Sequence, residues 1–245
     1  MAIITVPVGV FTDAAGNPNV AATPLNIAVD TIVPTLTITR AGAGTLKAGD
    51  TTVITFTLSE PSTTFAQGDV GITNGTLSGF SGSGLNYTAT FTPAANFEGM
   101  ATITVPAGGF TDAAGNPNTA AAPLSIVVDT KAPTLSITRA GSGTLRADQT
   151  ETIYFTLSEP ANSNFGRDDV IVSVGGKLDN FTQNSGTTFS ATFTPNPGFS
   201  GDVTITVGNT SFTDVIGNPN FPGASLSIPV KTIAPTLTIT RLGSS

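Results

Sequence analysis

The sequence predicts an all-β chain of tandem antiparallel β-sandwiches, and three observations support this prediction. Thr, Ser, Gly, Ala, Val and Ile dominate its 245 residues, with 27 Gly and 17 Pro, which is a composition of strand and turn formers. Pro and Gly recur in every segment, so no long helix can form. Groups of motifs return about every 100 residues, and apolar side chains alternate with Thr and Ser between them, as in half-buried strands.

Composition also narrows the classes of partner. Charged residues make up 10% of the chain and its net charge is -7. A net acidic surface repels nucleic acid and anionic membranes, and no apolar run approaches the roughly 20 residues that span a bilayer. We therefore expect no nucleic-acid partner and no membrane insertion. The first residues lack the regions of a signal peptide, and a chain without Cys is compatible with the cell exterior.

The repeated unit is a whole domain. The motif FTDAAGNPN occurs twice and returns as FTDVIGNPN, at 11–19, 110–118 and 212–220. The spacing is 99 residues from Asp13 to Asp112 and 102 from Asp112 to Asp214, which is too long for a solenoid repeat of about 20–45 residues and matches one sandwich of about 100. The predicted domains are two complete repeats at 31–129 and 130–231, the C-terminal strands of a truncated repeat at 1–30, and the first strand of a following truncated repeat at 232–245.

Each complete repeat contains seven alternating segments, which we letter A to G in chain order. In the first repeat the inward-facing positions are Leu36 and Ile38 (A), Ile54, Phe56 and Leu58 (B), Val70 and Ile72 (C), Tyr87, Ala89 and Phe91 (E), Ile103 and Val105 (F), and Leu124, Ile126 and Val128 (G). A short strand D is predicted around Thr76–Phe80. In the second they include Leu135, Ile137, Ile153, Phe155, Leu157, Phe189, Phe193, Ile205, Val207, Leu226 and Ile228. Seven short strands in about 100 residues predict an immunoglobulin-like sandwich, without the Cys…Trp…Cys pattern of antibody domains.

Acidic side chains are predicted to meet where one repeat joins the next. In a seven-stranded sandwich the B–C and F–G loops lie at the N-terminal end, beside the linker from the preceding repeat. Glu60 ends strand B, Asp69 opens strand C and Asp112 lies in the F–G loop. With Asp30 from the linker, these carboxylates define the first joint. The same set recurs at the second joint as Asp129, Glu159, Asp169 and Asp214.

Four carboxylates in one place repel one another, and no Lys, Arg or His recurs at a position that would balance them. Ca²⁺ takes about 6–8 oxygens from carboxylates and carbonyls. The EF-hand pattern is absent. In the alternative interpretation each Asp only caps a tight turn and Glu60 is an ordinary loop residue. We predict structural, interdomain Ca²⁺ held by Asp30, Glu60, Asp69, Asp112, Asp129, Glu159, Asp169 and Asp214, with Asn17, Asn116, Asn218 or backbone carbonyls as further ligands.

One linker departs from this pattern. The sequence Val-Asp-Thr at 29–31 and 128–130 becomes Val-Lys-Thr at 230–232. Lys231 would weaken a cation site or replace the ion with a salt bridge. We therefore predict that the third joint binds Ca²⁺ poorly.

The motifs FTLSEP, YTATFTP, TITVPAG and FTDAAGN, with VDT in the linker and APTLTITR after it, resemble the bacterial immunoglobulin-like repeats of giant surface adhesins. These include biofilm-associated proteins and repeats-in-toxin adhesins. The resemblance implies an extracellular extender at the bacterial cell surface, stiffened by Ca²⁺, that supports adhesion and biofilm formation. Its partners would be the neighbouring repeats, while other parts of the parent protein would bind host or surface ligands. The resemblance gives Glu60, Asp69 and Asp112, with Asp30 from the linker, the ligand roles.

The sequence also bears on two other classes of function. An adhesive or carbohydrate-binding module would need exposed aromatic side chains or a loop insertion in one repeat only; the second repeat differs at 162–168 and 177–187, which contain Phe165 and Phe181. Phe65 and Phe165, however, are expected to plug the ends of their sandwiches. An enzyme is not expected, because the chain lacks His and Cys and has two Tyr and no Trp to line a cleft.

Overall fold

The computed structural model describes residues 1–241 and contains two compact units. The first consists of Met1–Ala43, Thr51–Thr92 and Ala101–Ile126, and the second of Gly44–Asp50, Pro93–Met100 and Val127 onward. Sixteen strands and two single-turn 3-10 helices form the regular structure of this part of the chain. Neither of these short helices is long or apolar enough to cross a membrane. The predicted all-β class is confirmed.

The first complete repeat forms two three-stranded sheets. One has the order β3–β4–β6 and contains β3 (Leu36–Arg40), β4 (Thr52–Ser62) and β6 (Gly75–Pro93). The other has the order β5–β7–β8 and contains β5 (Gly71–Thr73), β7 (Glu98–Thr104) and β8 (Leu124–Asp129). In these sheets β3 with β4, β4 with β6 and β5 with β7 pair antiparallel. Predicted strands A, B and E therefore share one sheet, and C, F and G share the other, as in an immunoglobulin-like sandwich.

The predicted strands D and E are one continuous element in this repeat. Strand β6 is 19 residues long and reverses direction at glycines that lie between the two predicted segments. Gly82 has φ +136, and a side chain there would overlap the Asn86 carbonyl oxygen. A side chain at Gly75 would overlap the Phe91 ring. The hairpin closes this tightly because both close approaches occur at residues without a Cβ.

The second repeat forms two four-stranded sheets and keeps D and E separate. One sheet, in the order D–E–B–A, contains β13 (Gly176–Gln183), β14 (Thr188–Pro195), β11 (Glu151–Leu157) and β9 (Leu135–Arg139). The other contains β10 (Leu145–Arg146), β16 (Ala224–Lys231), β15 (Ser200–Val207) and β12 (Val170–Val172). Its pairs are antiparallel except β10 with β16. The chain therefore forms tandem immunoglobulin-like sandwiches, as predicted.

The alternation of apolar and polar residues in the sequence determines which side chains form the core. Ile54, Phe56 and Phe91 of the first repeat are fully buried, as are Ile153 and Phe155 of the second, while the intervening Thr and Ser are exposed or half-buried. Burying one such side chain contributes about 1.5–3 kcal/mol. The two sheets of each repeat are therefore held together by the residues that the pattern assigns inward.

Phe65 and Phe165 plug the sandwiches at the B–C end, as predicted. Both are buried. The Phe65 ring lies 5.0 Å from the rings of Tyr87 and Phe110, and the Phe165 ring lies 5.1 Å from that of Phe212. These centroid distances are typical of edge-to-face or tilted aromatic packing, so the plug also fixes the base of the F–G loop.

The two ends of the chain differ in structure. In the segment 1–30, β1 (Ala2–Ile4) and β2 (Leu25–Ile27) form a two-stranded antiparallel sheet. A strand was predicted over 232–245, but residues 232–241 contain none, and 242–245 lie outside the described residues. In the complete repeats strand A is held by strand B, and the described residues offer 232–241 no equivalent partner.

Candidate metal centres

The F–G loop of each repeat is a turn closed by its own aspartate. Asp112 Oδ1 accepts the N–H groups of Ala114 at 2.9 Å and Asn116 at 2.8 Å, and Oδ2 accepts Asn116 Nδ2 at 2.8 Å. Asp214 makes the same bonds, with Asn218 Nδ2 at 2.8 Å. The interpretation of these aspartates as turn caps is therefore confirmed, because Asp accepts bonds from its own backbone in such turns.

The same asparagine attaches the linker to this turn. Asn116 Nδ2 also donates to the carbonyl of Asp30 at 3.2 Å, and Asn218 Nδ2 donates to that of Asp129 at 2.9 Å. The side chain of Asp129 accepts the Lys131 N–H at 3.2 Å, which orders the start of the linker. The linker carboxylate is thus held beside the F–G turn in both repeats.

The end of strand B is attached to the same turn. In the first repeat Ser62 Oγ donates to the Thr111 carbonyl at 2.6 Å. In the second, the Asn162 N–H donates to the Thr213 carbonyl at 2.9 Å, and Ala161 pairs with Asp214 as an isolated bridge. The predicted placement of the B–C and F–G loops at one end of each sandwich is confirmed.

These three attachments bring carboxylates together twice. One carboxylate oxygen each from Asp30, Glu60 and Asp112 lies within 4.8 Å of the others, and we call this set the first group. Asp129, Glu159 and Asp214 form an equivalent second group with the same spacing. Each group combines the linker, the end of strand B and the F–G turn of one repeat.

Asp69 and Asp169 do not join these groups. Their Oδ2 atoms accept the N–H groups of Ala66 and Gly166, both at 2.7 Å, and so close the 3-10 turns Gln67–Asp69 and Arg167–Asp169. The reason is local geometry: each carboxylate bonds three residues back along its own chain. The sequence carried this signal, because an Asp three residues after a turn start is a common backbone cap.

Within the first group, the pKa values of Glu60 and Asp112 shift in opposite directions. Burial raises the pKa of Glu60, and the charges of Asp112 and Asp30 raise it further. Hydrogen bonds, the Asn116 side chain foremost, lower the pKa of Asp112 below its ordinary value. Glu60 Oε1 is a buried atom with no hydrogen-bond partner among the described residues. A buried carboxylate oxygen without a partner is costly, and a bound cation would offset this cost.

In the second group, too, burial and neighbouring carboxylates raise pKa values, and a further carboxylate, that of Glu98, contributes. Burial raises the pKa of Glu159, followed by the charges of Asp214, Asp129 and Glu98. Burial also raises the pKa of Asp129, with Asp214 and Glu98 adding to the shift. Glu98 lies across an open cleft of about 400 Å³ that Asp129 and Glu159 also line.

A basic residue partly offsets the charge of the second group. Lys131 Nζ lies 3.9 Å from Glu98 Oε2, and both side chains are more than half exposed. Sequence reasoning missed Glu98 and Lys131 because neither recurs: the equivalent residues are Ser200 and Ile32. The repeat comparison that identified the carboxylates could not have found them.

The donor set fits a hard divalent cation. Each group offers carboxylate oxygens from three residues, and the linker carbonyls of Asp30 and Asp129 lie beside the F–G turns. Ca²⁺ binds such oxygens in flexible geometry. Asn218 is already occupied on both its amide atoms, so it is not a free ligand.

Family comparison agrees with the fold. The family model of the bacterial Ig-like domain matches residues 30–128 and 129–230. These two matches cover most of the chain, and the chain belongs to this family of bacterial Ig-like domains. Among curated proteins, no sequence matches the chain.

Several solved structures match the chain at low sequence identity and low TM-score. The Yersinia pseudotuberculosis adhesin InvE is 16% identical over 81% of this chain, with a TM-score of 0.31. Invasin, a bacterial integrin-binding protein, is 18% identical over 89% of the chain, with a TM-score of 0.37. The titin I9–I11 tandem is 12% identical over 81%, with a TM-score of 0.32. The chain spans 59% of the InvE structure, 49% of invasin and 66% of the titin tandem.

Proposed function

We propose that this chain is an extender segment of a bacterial cell-surface adhesin, in which Ca²⁺ bound between repeats stiffens the array. Membership of the bacterial Ig-like domain family supports a bacterial structural role. In this proposal the chain is secreted and works outside the cell. It catalyses no reaction, and it supports cell adhesion and biofilm formation by carrying a binding module that lies elsewhere in the parent protein.

The observation that carries the proposal is the recurrence of the carboxylate group. The same three positions, in the linker, at the end of strand B and in the F–G turn, converge within 4.8 Å in both repeats. A turn cap alone would need only the F–G aspartate. Glu60 and Glu159 cap no turn, and burial raises the pKa of both, which fits sites that await a cation.

Calcium would act by crosslinking the linker, the end of strand B and the F–G turn. An ion bound to the linker aspartate and to the sandwich end removes freedom from the linker. Pro34 and Pro133 already restrict the residues that follow each linker aspartate. An ion that binds only the folded state also raises the melting temperature.

Small-angle scattering with calcium and with chelator tests the proposal. We expect a longer maximum dimension and a narrower distance distribution in millimolar calcium than in chelator. The double variant E60Q/E159Q should give the chelator profile under both conditions, while D202N, which changes an exposed carboxylate outside both groups, should behave like the wild type. An identical wild-type profile with and without calcium would refute calcium stiffening.

A ligand-binding module is the second candidate, and one observation favours it. Phe165 and Phe181, the aromatic residues predicted for such a surface, pack in the core of the second repeat. Phe221 is instead 61% exposed, where the first repeat has Thr119. The adjoining Pro222 lines an open cleft of about 310 Å³. Screening the wild type and F221T on a glycan array tests this candidate; binding lost in F221T would establish it, and an array without hits would exclude glycans.

A further inference from the structure

Asn218 makes hydrogen bonds to three separate segments of the second compact unit. Its Nδ2 donates to Asp214 Oδ2 at 2.8 Å and to the Asp129 carbonyl at 2.9 Å. Its Oδ1 accepts the N–H of Ala48 at 2.8 Å, from a residue 170 positions away in sequence. The residue is 1% exposed. One buried amide therefore joins the F–G turn of the second repeat, the linker, and the loop that precedes strand B of the first repeat.

We infer that Asn218 and the loop Gly44–Asp50 form a metal-independent clasp that holds the second joint together before any cation binds. The inference rests on the proposed function, since it concerns the same joint, and it adds an element that calcium does not supply. Asn218 is a positioning residue in this scheme. It holds the carbonyl of Asp129 and the carboxylate of Asp214 in the arrangement that brings the second group together.

The loop is built to present the Ala48 N–H. Lys47 N–H bonds the Asp50 side chain at 3.1 Å, and Asp50 N–H returns to the Lys47 carbonyl at 3.1 Å. Gly49 has φ +86, the value required at the third position of a type II turn. Ala48 occupies the second position, where the N–H is not used by the turn and is free to donate outward.

The loop is also fixed to the strand that leads into the linker. Leu46 N–H donates to the Val127 carbonyl at 3.0 Å, and Asp129 N–H donates to the Leu46 carbonyl at 2.9 Å. Asn218 bonds Asp129 on one side and Ala48 on the other. The contacts thus form a closed ring, and linked hydrogen bonds restrain their members more than separate bonds would.

The first F–G turn makes only part of this set. Asn116 Nδ2 bonds Asp112 Oδ2 at 2.8 Å and the Asp30 carbonyl at 3.2 Å. Within residues 1–241, no N–H group donates to its Oδ1. The equivalent of the Ala48 loop is the turn Arg146–Gln149, whose Ala147 N–H has no acceptor in the same range. Asn116 and Ala147 therefore provide matched controls for the two halves of the clasp.

Hydrogen exchange in chelator tests the clasp directly. In the wild type we expect the Ala48 amide to exchange more slowly than the Ala147 amide, by at least about fivefold, because it makes one additional hydrogen bond. N218A should remove this difference, and N116A should leave it unchanged. Equal rates for Ala48 and Ala147 in the wild type, or a difference that persists in N218A, would overturn the clasp.

A second pair of variants tests the clasp independently of whether N218A folds. Proline suits the second position of a type II turn, so A48P removes the donor and keeps the turn; A147P makes the same change where no bond is lost. In chelator, trypsin should cleave after Lys131 about fivefold faster in A48P than in A147P, and equal rates would overturn the clasp. A calcium titration of the wild type is read separately: if calcium fails to bind while the clasp holds, only the proposed function falls.

Discussion

The two carboxylate groups have the same composition and different surroundings. In the first group Asp30 is exposed and Asp112 is 6% exposed; in the second Asp129 is half-buried and Asp214 is fully buried. The second F–G turn also accepts the Ala48 N–H. Residues Gly44–Asp50 and Pro93–Met100 of the first repeat belong to the second compact unit, and they provide this cover.

At the second joint, side chains from outside the carboxylate group add to its electrostatics. Besides burial and the charges of Asp214 and Asp129, Glu98 raises the pKa of Glu159 and Lys131 lowers it. Burial, and then the charges of Asp112 and Asp30, raise the pKa of Glu60. The two groups of this chain, of which only the second has a complete repeat before it, should therefore respond differently to calcium, protons and charge changes.

The largest effect is expected from D129K. Lysine occurs naturally at the equivalent position of the third linker, as Lys231. A lysine amine near Glu159 and Asp214 would replace the ion with a salt bridge, so calcium affinity at the second joint should fall by more than about 100-fold, while the first joint is unaffected. Calorimetric titration of D129K beside D30K measures this. Unchanged affinity at the second joint would show that the linker aspartate is not a ligand.

An intermediate effect is expected from pH. The pKa values of Glu159 and Asp129 are raised above their ordinary 4.5 and 3.8, so the folded protein keeps protons that the unfolded chain has lost. Their contribution to metal-free stability is therefore favourable at low pH and declines as pH rises from these ordinary values to the raised ones. Calcium affinity should change in the opposite sense and weaken on acidification through the raised pKa of Glu159.

Asp112 should partly mask this trend at the lowest pH. Its pKa is lowered, so its contribution to stability is present above 3.8 and is lost as pH falls below that value. Melting temperatures in chelator across about pH 3 to 7 separate the two contributions. E159Q should flatten the decline above pH 4.5 and D202N should not; a wild-type curve that rises steadily from pH 4.5 to 7 would contradict the assignment.

The smallest effect is expected from the residues found only at the second joint. E98S and K131I give the second joint the residues of the equivalent positions, Ser200 and Ile32. Removing a nearby carboxylate should weaken calcium binding, and removing the amine should strengthen it, each by up to about fivefold because both side chains are exposed. K177A, which breaks the exposed pair of Lys177 with Asp179, is the control. Changes of the same sign in E98S and K131I would argue against a purely electrostatic effect.

Much of the fold follows from the sequence because the periodic signal is strong. Phe56 and Phe155 lie at the alternating positions that the pattern assigns to the core, and both are fully buried. The glycines that fold β6 back on itself were less informative, since a glycine in a strand pattern marks several kinds of irregularity. The strand predicted over 232–245 failed in 232–241 because a strand needs a partner as well as a pattern.

The candidate site could be predicted only where it recurs. Asp30, Glu60 and Asp112 repeat at the equivalent positions and converge as expected. Asp69 repeats equally well, yet its side chain closes a local 3-10 turn, so recurrence alone does not separate a ligand from a cap. The bond from Ala48 to Asn218 joins residues 170 positions apart, and no local pattern in either segment indicates it.

Isothermal titration of calcium into the metal-free chain tests the central claim most directly. We predict two sites in the wild type, with E60Q losing one site, E159Q losing the other, and the double variant losing both. Full wild-type stoichiometry in the double variant, or no heat of binding in the wild type up to millimolar calcium, would contradict the account.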